Sequence, residues 1–473
     1  MDRALATGDY EIDRQRHVRA FVERLPSEVE KLTWPLEKLH ALRDERLRAL
    51  VRIAKERSPW HAQRLNHIDP DRLRGDELSA IPPMTKTDLM NHWDEIVTDR
   101  RLNLELANRH LARISEEGPA YLLDDYHAIT SGGSSGMRGV FVVDFEAWLA
   151  TSLAILRHGV WIDQHLQRRG EQREASIGAG HVTHASIAAF RTFASRSQSP
   201  ARSFPITSPF PEILAGLNEF QPSHIVAYPS IMHRLALEQQ AGRLSIAPES
   251  ITCIAEPLQT DSRQIIAHVF GIPPMNMYGC SECGPVALSY PGSPGMHLVE
   301  DTAIYEPVDA HGRPVPPGVS GAKLLVTNVL NQALPLIRYE LTDEVTFLDE
   351  PNPDPWTGRR IADVKGRLDD HFVYPGDVDV APLIFWTVFG TVPEIFEYQV
   401  QQTLRGVNIL VRYTHQIDLE PISRSVKAAL ARLGLAEPEV SIKAVDHIER
   451  HAATGKLRRF VPMSHQAYDV RRP

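Results

Sequence analysis

Tyr278-Gly279-Cys280-Ser281-Glu282 is the stretch on which the reading of this 473-residue chain turns. An aromatic ring and a carboxylate four positions apart suit an adenine stacked on Tyr278 and a magnesium ion held beside phosphates by Glu282. Alone, the stretch is a turn. Four more stretches surround it in a fixed order: Thr130-Ser131-Gly132-Gly133-Ser134-Ser135-Gly136 upstream, then Tyr339-Glu340-Leu341-Thr342-Asp343, Gly366-Arg367-Leu368-Asp369-Asp370 and Thr454-Gly455-Lys456 downstream. Each suits an anion or a nucleotide in its own way, and together they read as an ATP site.

From Ser131 to Gly136, three glycines free the backbone to turn N–H groups toward an anion, and Ser134 and Ser135 add hydroxyl donors. Plain Gly/Ser linkers share that composition. The run lacks the Gly-Lys-Ser/Thr ending of a P-loop, so a Walker-type NTPase is not supported. Asp343 follows the apolar Leu336-Ile337-Arg338-Tyr339 and either accepts hydrogen bonds from both hydroxyls of a ribose or caps a turn. Lys456 is either a solvated surface lysine or a compact charge that meets the negative charge developing during displacement at phosphorus. Their shared order favours the functional reading in each case.

Composition sets the class. With 42% hydrophobic and 23% charged residues the chain is that of a soluble globular protein, and no run of about 18 apolar residues exists to span a bilayer. The amino terminus scatters charges through Arg14, Arg16 and His17 without the apolar core of a secretory signal, which places the protein in the cytoplasm. A formal charge of −9 argues against a generic nucleic-acid binder. Three cysteines, Cys253, Cys280 and Cys283, build no disulfide framework. Cys280 and Cys283 form one C-x-x-C pair, half a zinc site, to which Cys253 adds a third sulfur only if the fold brings it near.

The length calls for two or three units. Residues 1–100 read as helical, with Leu39, Leu42, Leu47, Leu50 and Val51 at helical spacing. After the turn at Ile81-Pro82-Pro83-Met84, Thr85-Lys86-Thr87-Asp88 caps a helix predicted through Leu89 and Trp93. From about 125 to 300, strands at 139–143 and 223–227 alternate with helices at 145–156 and 231–239, which implies βαβ units and a largely parallel sheet. Strands at 323–328 and 344–348 lie in a smaller β-rich subdomain. Beyond about 367, a strand at 408–413 and a helix at 422–433 make a separate α+β module.

In this order the motifs resemble those of the acyl-adenylate-forming superfamily shared by acyl-CoA synthetases, adenylation domains and luciferase, and most nearly its phenylacetate-CoA ligase branch. The stretch from Ile81 through Lys86 and Asp88 to Leu89 resembles that branch's early Pro-x-x-x-Lys-x-Asp-Leu segment, so the likeness spans most of the chain. It implies an α/β fold: a large N-terminal domain of mixed sheets and helices with a β-rich subdomain, and a small mobile α+β C-terminal domain. Residues 1–100 would be the helical N-terminal part of the large domain, 101–366 its ATP- and acyl-binding core, and 367–473 the small domain after a hinge at Asp369.

Residue by residue, the resemblance makes Ser131, Gly132, Gly133, Ser134, Ser135 and Gly136 the phosphate loop. It places Glu256 in the adenine-side wall, Tyr278 and Gly279 against the adenine, and Glu282 on Mg²⁺. Asp343 becomes the ribose ligand, Arg367 a nucleotide contact, and Lys456 the lysine of adenylation. His181, His184, Tyr228 and Ala255 fall near the acyl pocket, which points to a compact, partly polar acid such as an aryl carboxylate. Where the family's phosphate loop continues Gly-Lys-Pro, this chain has Met137-Arg138, which displaces the positive charge by one position. No fourth ligand accompanies the cysteines, so a structural metal is not predicted.

The implied activity is ATP- and Mg²⁺-dependent adenylation of a carboxylic acid with release of pyrophosphate, then acyl transfer to CoA with release of AMP. The alternatives are transfer to a carrier-protein thiol or an amine, activation of a small non-carboxylate anion, and a non-catalytic nucleotide-binding homologue. The partners implied are a small-molecule acid and a thiol acceptor, with neither nucleic acid nor membrane, and a homodimer or a carrier protein as the possible macromolecular partner.

Overall fold

The computed structural model describes residues 10–131, 139–165, 172–178, 183–193, 200–206, 208–364, 370–376, 378–380, 382–389, 392, 394–413, 417–450 and 457–463. Five short strands, Ala201–Pro205, Glu174–Gly178, His224–Ala227, Ser250–Ile254 and Met275–Cys280, lie side by side in that spatial order and run parallel. Parallel neighbours need a crossover, and helices Ala185–Phe193, Phe210–Phe220, Pro229–Gln240 and Thr260–Phe270 supply it. Ala175, Ile177, Ile225, Ala227, Ile251 and Cys253 are buried in one cluster with Leu217, Leu235 and Ile266 from those helices. Gly284–Leu288, Met296–Leu298 and Arg360–Ile361 extend the sheet antiparallel beyond the Tyr278 strand. The expected parallel sheet is therefore one flank of a mixed, eight-stranded one.

The strand order locates a crevice. From Glu174–Gly178 the chain steps outward to the edge strand Ala201–Pro205, then returns to the opposite flank at His224–Ala227. A reversal of winding of this kind is where open α/β sheets offer a ligand room, here outside the carboxyl ends of Glu174–Gly178 and His224–Ala227.

The remaining sheets are antiparallel. Tyr126–Thr130 pairs with Val140–Asp144, and Ala303–Val308, Lys323–Asn328 and Tyr339–Leu341 form a three-stranded sheet. Leu47, Leu50, Val51 and Ala54, on one face of helix Leu36–Arg57, share a core with Ile304, Val329 and Ile337. The helical start of the chain is thus built into the body of the protein rather than appended to it.

Two local readings change in the fold. The helix predicted from Thr85 through Trp93 comes in two pieces, Lys86–Asn91 behind a Thr85/Asp88 capping box, and Trp93–Ile96. Trp93 is buried, and its indole N–H donates to the Val140 carbonyl at 2.9 Å, a tertiary contact that the chain meets by turning at His92. The strand expected at 344–348 shortens to Val345–Thr346, because its partner strand is only Ser320–Gly321.

The carboxy-terminal part has its own core. Glu439–Ala444, Gly406–Tyr413, Ile395–Thr403 and Phe460–Val461 form a four-stranded sheet in that order, flanked by helices Leu383–Phe389 and Glu420–Arg432. Phe372, Phe385, Val400, Ile409, Val426 and Phe460 are buried within it. No helix among the described residues is long and apolar enough to cross a membrane.

His17, His61, His110, His127 and His158 are among the buried histidines of the large part. Carbonyl oxygens only accept, so His17 Nδ1, His61 Nε2 and His158 Nδ1 carry the protons donated to Asp13 (3.1 Å), Pro335 (3.0 Å) and Ala154 (2.9 Å). Loss of hydration disfavours a second proton. It pushes His17 and His110 down to about 4, His61 and His158 to about 3, and His127 well below its usual value. The unfolded chain takes up these protons near pH 6.5, the folded chain only near pH 4 or below. Stability is therefore fully present above pH 6.5 and falls with acid, by about 2 kcal/mol per histidine at pH 5. Urea unfolding at pH 7.5 and pH 5 checks this, and an unchanged midpoint would contradict it.

Candidate active site

The Tyr278 strand enters a tight hairpin with Gly284–Leu288, and the register shifts by one residue between Tyr278 and Gly279. A Cβ on Gly279 would lie 3.0 Å from the Gly284 carbonyl oxygen, so the close approach of the two backbones requires glycine there. The hairpin holds Tyr278 half-buried, and its hydroxyl donates to Asp343 Oδ2 at 2.8 Å. Asp343 is buried just past the end of the strand Tyr339–Leu341. Two residues 65 positions apart, each chosen from its own motif, thus meet. Glu282 sits in the hairpin turn, where Asn328 Nδ2 donates to its backbone carbonyl at 3.1 Å and leaves its carboxylate half-buried.

Ser131 closes the base of the Gly/Ser run. Its N–H donates to the Gly139 carbonyl at 3.1 Å, and its Oγ accepts from the Gly139 N–H at 3.0 Å. Gly132, Gly133, Ser134, Ser135 and Gly136, with Met137 and Arg138, lie outside the described residues. A second donor to Ser131 Oγ is Lys86 Nζ, at 3.0 Å. Lys86 arrives there because Met84 bridges the Tyr339 strand, accepting from Glu340 N–H at 2.8 Å and donating to the Arg338 carbonyl at 2.9 Å. Sequence reasoning set Lys86 inside a helix cap and gave it no role. The available signal was its place in the segment shared with the phenylacetate-CoA ligase branch.

At the crevice, Tyr228 follows the strand His224–Ala227 and is buried against Gly178, where a Cβ would lie 3.4 Å from the tyrosine ring. His184 is buried at the start of helix Ala185–Phe193, and the neighbouring Thr183 carbonyl accepts from Thr130 N–H at 2.9 Å, joining this wall to the strand before Ser131. Ala255 lies exposed at the end of the strand Ser250–Ile254 with φ of +68°, a left-handed conformation that a non-glycine residue keeps only where its surroundings impose it. Beside it, Glu256 accepts from Ser230 N–H at 3.2 Å and from Leu457 N–H, in the carboxy-terminal part, at 3.1 Å.

His181, Arg367, Asp369 and Lys456 lie outside the described residues. Cys280 and Cys283 bring their sulfurs to 3.2 Å, while Cys253 is buried in the core of the parallel strands. Among the described residues no group of three or more His, Cys, Asp or Glu side chains is arranged to hold a metal.

No protein-family profile matches the chain. It is 27% identical over 445 residues to phenylacetate-coenzyme A ligase of Thermus thermophilus, an alignment covering 88% of this chain and 92% of that one. Its fold matches the crystal structure of 2-hydroxyisobutyryl-CoA ligase in the postadenylation state, in complex with an acyl-AMP, with a TM-score of 0.71 at 16% identity, over 93% of this chain and 92% of the other. The chain is thus similar to a phenylacetate-CoA ligase over most of its length and shares the fold of a CoA ligase that forms an acyl-AMP. An open conformation of the same 2-hydroxyisobutyryl-CoA ligase, with an acyl-AMP and CoA, matches this chain with a TM-score of 0.58 at 17% identity, over 92% of this chain and 93% of the other. Tyr278 with Asp343 and Lys86 with Ser131 form two pairs, and the turn after Tyr278 reaches the strand before Ser131 through Ser281 Oγ, which donates to the Thr130 carbonyl at 3.5 Å.

Proposed function

We propose that this ligase activates a carboxylic acid, aryl or small, in two steps. A carboxylate oxygen attacks the α-phosphorus of ATP and pyrophosphate leaves; the thiol of CoA then attacks the acyl carbon and AMP leaves. Catalysis of this kind is positioning and charge stabilisation rather than covalent work by the protein. Asp343 would accept from the ribose hydroxyls, Tyr278 would offer its ring to the adenine, and Glu282 supplies a hard oxygen for Mg²⁺, which draws charge from the phosphates when bound. Lys86 and Ser131 present an ammonium and a hydroxyl at the base of the phosphate loop, and Lys456 brings a second cation to the reacting centre. Asp369 is the pivot about which the small part turns between the steps.

The observation that carries this reading is the 2.8 Å hydrogen bond from Tyr278 to Asp343, which joins an adenine motif to a ribose motif in one place. The choice of acid class is supported by buried Tyr228 and His184 beside the carboxyl ends of the parallel strands and by the likeness to a phenylacetate-CoA ligase. Exchange of labelled pyrophosphate into ATP, across aryl, aliphatic and amino acids, tests the first step; adding CoA tests the second. An aryl acid should stimulate exchange and, with CoA, release AMP. AMP release with a carrier thiol or an amine but not with CoA would assign a different acceptor, and exchange with no acid would leave a nucleotide-binding protein without this chemistry.

A further inference from the structure

Glu256 holds two points of the carboxy-terminal part at once. Its Oε1 accepts the Leu457 N–H at 3.1 Å and lies 3.9 Å from the Arg450 guanidinium, while its Oε2 accepts the Ser230 N–H at 3.2 Å at the start of helix Pro229–Gln240. Arg450 also donates to Ser230 Oγ at 3.3 Å and to the Glu397 carboxylate, which accepts from Arg412 at 2.6 Å as well. The Glu256 and Arg450 side chains are only 11% and 16% exposed, so water competes weakly for these bonds. The N–H that Glu256 accepts belongs to the peptide that Lys456 shares with Leu457.

From this geometry, and resting on the adenylation reading above, we infer that Glu256 is a positioning residue. Its carboxylate fastens the Leu457 N–H and Arg450 to the large part in the arrangement used for adenylation, and it plays no part in thioester formation. A carboxylate that accepts one backbone N–H from each side of a boundary and faces a guanidinium across it stabilises that one packing of the two sides. A contact made in one arrangement alone shifts the population toward it and leaves the chemistry of the other arrangement untouched. The inference moves Glu256 from a wall of the nucleotide site to a joint between the two parts, and it accounts for the left-handed turn at Ala255, which delivers the carboxylate to that boundary.

Glu256→Gln tests it. The amide keeps the size but loses the charge facing Arg450, and it turns a donor toward Ser230 N–H or Leu457 N–H. The expected result is at least a tenfold fall in the turnover of pyrophosphate exchange, with the ATP concentration for half-maximal rate little changed. Thioester formation from supplied acyl-adenylate and CoA should match the unaltered protein. Arg450→Ala should do the same, and the double variant should lose no more than the worse single one. Independently of any acid, hydrogen exchange on the ligand-free protein should show protection across 457–463 that falls at least tenfold in Glu256→Gln. Equal loss in both half-reactions, a changed ATP requirement with unchanged turnover, or unaltered protection across 457–463 would each overturn the assignment. If the unaltered protein exchanges pyrophosphate with no acid, the enzyme reading fails while the hydrogen-exchange arm still decides the joint.

Discussion

Asp301→Asn is expected to destabilise the large part by about 3 kcal/mol, because it removes the main counter-charge of the buried Arg157 guanidinium and leaves it only Glu28, at 3.4 Å. Arg157, on helix Phe145–His165, is 3% exposed and donates from both terminal nitrogens to Asp301, at 2.6 and 3.0 Å. The same carboxylate lies 3.8 Å from Arg46, whose guanidinium also donates to the Asp301 carbonyl at 2.6 Å. Next to it, buried Glu300 receives Arg359 Nε at 2.7 Å and His40 Nε2 at 3.1 Å. Two helices of the first 165 residues, Leu36–Arg57 and Phe145–His165, thereby converge on one loop at 299–302.

Charge neighbours set the titration of both acids. Burial alone would raise them, but Arg157 outweighs it and holds Asp301 far below the usual carboxylate range, while His40 and Arg359 bring Glu300 down to about 2. Their contribution is present above pH 4 and is lost as acid is added, the same sign as for the buried histidines. Removing Asp301 leaves Arg157 with the longer Glu28 contact alone, whereas an apolar pair of similar volume avoids most of that penalty. Arg157→Met with Asp301→Leu should therefore recover much of what Asp301→Asn loses. Calorimetry of the thermal transition measures it. A transition of Asp301→Asn within a degree or so of the unaltered protein would mean that the pair contributes little.

Asp343→Ala is expected to lower kcat/KM for ATP roughly 100- to 10,000-fold, with the folded structure retained. The carboxylate is buried and already engages the Tyr278 hydroxyl at 2.8 Å, so it is held where a ribose diol would meet it. A hydrogen bond to a charged acceptor contributes about 1.5–3 kcal/mol, and two of them are lost together with the anchor of the aromatic ring. Tyr278→Phe keeps the stacking face and removes only the hydroxyl, so it should cost less than about tenfold. Pyrophosphate exchange at varied ATP gives both values. Equal effects of the two substitutions would mean that Asp343 serves only to orient the tyrosine.

Much of the large part is readable from local pattern. The strand at 323–328 appears where expected, since an apolar run between Gly and Pro turns leaves the backbone few alternatives. Helix Glu420–Arg432 likewise follows its apolar spacing. What local pattern missed was set at a distance: Trp93 is claimed by the Val140 carbonyl, and the strand after Asp343 is cut short by a two-residue partner. Lys86 reads as a cap residue because nothing within ten positions of it shows that Ser131 lies 3.0 Å away.

Taken by itself, the sequence determined which kind of chain this is. The order of the motifs from Lys86 to Lys456, the alternation of strand and helix, and the glycines that particular turns demand are properties of short stretches, legible because propensity and backbone sterics act over a few residues. Only the tertiary structure decided which of those stretches meet. The bond from Tyr278 to Asp343, the approach of Lys86 to Ser131 and the grip of Glu256 on Leu457 join residues 65, 45 and 201 positions apart. Such contacts depend on how the sheets and helices pack to bury their apolar faces, a property of the whole folded chain that no single motif contains.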